Sequence, residues 1–83
     1  MTNLEKNLNR WQARAEELDA DILSLTNEHR RLIGALAEAK PDKRAEVKAA
    51  AVEAANDLQL TQAERAEVQR RLTAARLAIF DFE

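Results

Sequence analysis

Few side chains in this sequence have the type and spacing that chemistry requires. His29 is the only histidine. A metal site built on it needs further ligands three or four residues away on the same helical face, and Leu25, Thr26, Leu32 and Ile33 supply no convincing one. General acid–base work needs a pocket and a second oriented group, and the residues around His29 suggest neither. There is no cysteine, so disulfides and thiolate metal sites are excluded. No glycine-rich phosphate loop, nucleophile triad or recognisable carboxylate pair is present. The chain therefore reads as non-enzymatic, with no cofactor, no metal and no small-molecule substrate expected.

Arg10, Arg14, Arg70, Arg71 and Arg76 are the other group with chemical potential. They fall at one end if the chain folds back on itself, and a basic helical surface can contact RNA or DNA through phosphates. Glu16, Glu17 and Glu67 are interspersed among them, the net charge is −2, and no aromatic residue is free to stack on bases. A solvated charged face is the simpler reading. A dimeric RNA- or DNA-binding hairpin is the alternative.

The elements that position these residues follow from apolar spacing. Leu4, Leu8, Trp11, Ala15, Leu18, Ile22, Leu25, His29, Leu32, Leu36 and Ala39 step by alternating fours and threes. Val47, Ala51, Ala54, Leu58, Thr61, Arg65, Val68, Leu72, Ala75, Ile79 and Phe82 do the same. In a heptad lettered a to g these are the a and d positions, which keep one narrow seam facing a partner helix. The only proline, Pro41, separates the two stripes. Proline disfavours helical geometry at Lys40 and suits the first turn of the next helix. The spacing predicts helix 1 over about 3–39, capped by Thr2 or Asn3, a turn at about 40–42, and helix 2 over about 42–79.

The expected fold is all-α: a single domain formed by a two-helix antiparallel coiled-coil hairpin. With the turn as pivot, the layers pair Leu36 with Val47, Leu25 with Leu58, Leu18 with Arg65, Ala15 with Val68, and Trp11 with Leu72. Large residues mostly meet small ones, which fills a seam without voids. The competing reading keeps Pro41 as a kink in one rod, but the heptad phase slips by one residue there. Such stripes occur in helical hairpins of many functions, and nothing in these residues singles out a family.

Thr61 and Arg65 interrupt the second stripe. Polar residues at seam positions cost stability and can fix register. Arg65 is expected to reach Asp21 or Glu64 within the hairpin, or else to be satisfied across an interface. The g positions bring Arg14 beside Arg71 and Asp21 beside Glu64, a repulsion that a diagonal Arg14–Glu64 contact would relieve. In the tail, Ile79 and Phe82 are expected to continue the stripe over Leu4, with Phe80 outside it.

Leu23, Ile33, Ala37, Ala45, Val52 and Ala55 are apolar but lie off the seam, all at e or b positions and mostly in the loop-proximal half. Ala49, Leu60, Ala63, Ala74 and Leu77 lie elsewhere on the surface. The e/b group is contiguous across both helices and reads as a dimer or partner face. Two-helix hairpins are thin and generally gain stability by oligomerising or docking, so a homodimeric four-helix bundle is expected. The expected function is an adaptor, co-chaperone or small inhibitor acting by protein–protein interaction. No apolar run approaches the ~20 residues of a membrane span, and Met1 to Leu8 lacks the pattern of a secretory signal, so a cytoplasmic location is expected.

Overall fold

The computed structural model describes residues 2–82 and consists of two helices, α1 (Asn3–Glu38) and α2 (Pro41–Phe82), packed as an antiparallel hairpin. Thr2 caps α1: its backbone is extended, and its hydroxyl accepts a 3.2 Å hydrogen bond from the Glu5 amide. α1 ends where Ala39 turns extended (φ −68°, ψ 140°), and the Ala39 amide still donates to the Leu36 carbonyl at 3.3 Å. Pro41 follows as the first residue of α2, where its missing N–H removes no helical bond. The Lys43 amide closes the first turn on the Lys40 carbonyl at 2.9 Å. The chain reverses through Ala39 and Lys40 with no left-handed residue among those described.

Every described seam position is buried or half-buried. The two stripes therefore face one another along the whole hairpin. The tightest packing is towards the open end, where Ala15, Leu18, Val68 and Leu72 form a buried cluster with Leu8 and Trp11 packed against it. Leu18, at 1% exposure, is the most enclosed large side chain among the described residues. Ala51 and Ala54 are buried nearer the turn, where their small side chains let α1 approach closely. Phe82 continues α2, and its expected contact with Leu4 lies outside the described side chains. Phe80 is 76% exposed and off the seam.

The molecule is a rod of 63 × 16 × 13 Å with a radius of gyration of 18.5 Å, against about 12 Å for a compact domain of this length. No helix among the described residues is long and apolar enough to cross a membrane.

Candidate functional site: two unlike flanks

The hairpin has two long flanks on either side of the seam, one bearing the g and c positions of both helices and one bearing e and b. Their chemistry differs. On the g/c flank, Arg14 bridges the helices: it donates to Glu64 at 2.6 Å and to Glu17 at 2.9 Å. These bonds, with Glu64 the stronger influence, push the guanidinium pKa up from its ordinary value. Arg31 pairs with Glu28, and Glu67 receives both Arg70 and Arg71. Arg31 holds the Glu28 carboxyl below the usual glutamate range, and Arg70, then Arg71, do the same to Glu67. Lys43 and Glu46 approach within 3.8 Å near the turn.

These pairs also decide what the arginine cluster can offer. Arg14, Arg70 and Arg71 are each engaged by a carboxylate, and Arg10 lies over the Trp11 ring at 5.0 Å, with Arg71 at 5.9 Å from the same ring. Of the five, Arg10 and Arg76 have no ion-pair partner among the described residues. A phosphate approaching this end would have to compete with carboxylates already in place.

Among the described residues the e/b flank carries one ion pair. Arg65 leaves the seam on this side, donating to Asp19 Oδ1 at 2.8 Å and to Gln69 Oε1 at 3.1 Å. The expected partners Asp21 and Glu64 are thus corrected to Asp19. Both lie at g, Glu64 is occupied by Arg14, and Arg65 extends towards the e side, where Asp19 and Gln69 face each other across the seam. Thr61 is satisfied locally, its hydroxyl donating to the Asp57 carbonyl at 2.8 Å. His29 is half-buried in the seam, and no group of three or more metal-binding side chains exists among the described residues.

Beyond that pair the e/b flank presents exposed apolar side chains. Leu23, Ile33 and Val52 are 64%, 47% and 51% exposed, Ala37 is exposed, and Ala55 is half-buried. Ile33 and Val52 come to the same height on opposite helices. Towards the open end the flank becomes a shallow groove, lined by Gln12, Glu16, Asp19, Arg65, Gln69 and Arg76 over Ala15 and Leu72. Glu16 and Arg30 at b, and Lys40 in the turn, are exposed and have no ion-pair partner among the described residues. The sequence reading set Glu16 only against the arginine cluster and gave Arg30 no role. Their signal is the b column of α1 itself, Glu16, Leu23 and Arg30 at strict seven-residue spacing. Phe80, also at b, belongs to this flank, whereas exposed Leu60 and Leu77 do not.

Comparison with protein-family models, curated proteins and solved structures finds no match to this chain.

Proposed function

We propose that this chain is a non-enzymatic protein–protein interaction module, acting in the cytoplasm as an adaptor, co-chaperone or small inhibitor, and that it binds through the e/b flank. One observation carries the reading. Leu23, Ile33 and Val52 are held in water on the flank where Glu16 and Arg30 have no ion-pair partner among the described residues, while Arg14, Arg31 and Arg71 of the opposite flank are each paired with a glutamate. Apolar side chains bordered by unspent charges suit a docking surface, in which the apolar part supplies affinity and the charges fix register.

Site-specific photocrosslinking in the native host tests this. A photoreactive residue replacing Val52 should form adducts with polypeptide, and one replacing Ala20, which is exposed at an f position, should form none. Adducts with RNA or DNA from a probe at Arg70, together with none from Val52, would overturn the reading in favour of nucleic-acid binding.

A further inference from the structure

We propose that the e/b flank binds a second copy of this chain, in one defined arrangement: two hairpins side by side with their turns at opposite ends, related by a two-fold axis passing beside Leu23. This rests on the e/b flank being a protein-binding surface and names its occupant.

The first argument is charge. Along the e and b positions of α1, the turn-proximal half carries Arg30, with Lys40 beyond the helix in the turn, and the open half carries Glu5, Glu16 and Asp19. Leu23 stands between the halves, about 4 Å from the midpoint of α1. Antiparallel apposition of α1 with α1 of a second copy, Leu23 on Leu23, places Arg30 opposite Glu16 of the second copy and brings the turn bearing Lys40 to the end of α1 that bears its Glu5. The two-fold repeats each pairing, and no like charges of this column meet. Placing the turns at the same end instead would gather Arg30, Lys40 and Lys48 of both copies into one basic cluster.

The second argument is shape. The exposed pad of Ile33 and Val52 lies about ten residues on the turn side of Leu23, or about 15 Å along the rod. The groove beside Ala15 and Leu72 lies the same distance on the open side. The axis that pairs Arg30 with Glu16 therefore seats the pad of each copy in the groove of the other. The glutamine side chains bordering the groove offer both aliphatic stems and amides to it.

The third argument is area. The chain exposes 6288 Å², roughly 1,300 Å² more than a compact monomer of 9.4 kDa. A standard interface covers about 800 Å² on each partner, so one flank along most of the rod is enough for a stable dimer. The product is an antiparallel four-helix bundle in which every neighbouring pair of helices is antiparallel.

Sedimentation equilibrium of the charge-swap set provides the test. Wild type should be dimeric at micromolar concentration. Arg30→Glu and Glu16→Arg should each raise the dimer dissociation constant about tenfold, as two attractive contacts become repulsive, and the double variant should return it to within about threefold of wild type. Both positions of the swap are solvent-exposed in the single hairpin, so helix content should be unchanged in each of the three variants. Spin labels on Phe80→Cys should lie about 60 Å apart in the dimer, since each stands twenty residues from the axis in opposite directions. A monomer at high micromolar concentration would overturn the dimer, and with Val52 adducts to another polypeptide it would leave the interaction-module reading standing. A dimer in which the two charge reversals fail to rescue one another, or in which the Phe80 labels lie within about 25 Å, would overturn the arrangement.

Discussion

Arg65 Nε stands 2.8 Å from Asp19 Oδ1 across the helix seam, on the flank opposite the Arg14–Glu64 bridge. The two ion pairs straddle the buried cluster of Ala15, Leu18 and Val68 and tie α1 to α2 from both sides. Arg65 is 24% exposed and Asp19 60%, so solvent screens the pair. A double-mutant cycle on Arg65→Ala and Asp19→Ala should give a coupling of about 0.5–1 kcal/mol, falling with added salt. Coupling of Arg65 to Asp21 instead would show that the arginine leaves the seam on the other side.

Leu18→Ala removes the most enclosed large side chain of the described seam. Thermal or urea unfolding should register a loss of about 2–4 kcal/mol. Ser24→Ala, on an exposed c position, should change stability by less than about 0.5 kcal/mol. Trp11 packs against the same cluster and is the only tryptophan, so its fluorescence reports the opening of this end directly. Equal effects of the two substitutions would contradict the seam.

Gly34 is an exposed helical residue of α1, and a Cβ built on it meets nothing within 4 Å. Gly34→Ala should therefore stabilise the hairpin by about 0.5–1 kcal/mol through the unfolded chain's lost freedom. A decrease in melting temperature would indicate that this face of α1 is covered.

Glu28 and Glu67 carry depressed carboxyl pKa values because Arg31, and Arg70 with Arg71, bond to them in the folded chain. Unfolding releases these partners and returns the carboxyls to the ordinary range, so the unfolded chain binds more protons at acidic pH. Their stabilisation is fully present above the ordinary glutamate range and is lost as pH falls through the folded values. Melting temperature should fall between about pH 5 and pH 3, less steeply in high salt, and less in Glu28→Gln combined with Glu67→Gln. A melting temperature that rises over this interval would contradict the sign.

The seam was legible in the sequence because it depends on spacing alone: Leu18, Val68 and Leu72 are buried where the alternating fours and threes place them. Pro41 likewise marks the reversal because it can begin α2 but cannot continue α1. The route of Arg65 was not legible. A heptad letter gives the position of a Cα, whereas a long guanidinium side chain can leave an a position on either flank, and the occupied carboxylates decide which. The same holds for Glu16 and Arg30, whose spacing is plain in the sequence but whose lack of intrachain partners emerges only when the pairs on the other flank are known.

Oxidative footprinting of individual side chains tests the central claim most directly, because it reads the flanks rather than the identity of what covers them. Hydroxyl-radical modification should be compared between dilute purified chain and the chain in intact host cells. Leu23, Ile33 and Val52 should become several-fold less reactive in cells, while Leu60 and Leu77, which are equally exposed in the single hairpin but lie off this flank, should keep their reactivity. Protection of Leu60 and Leu77 with Leu23, Ile33 and Val52 unchanged would place the interface on the wrong side of the hairpin and contradict the account.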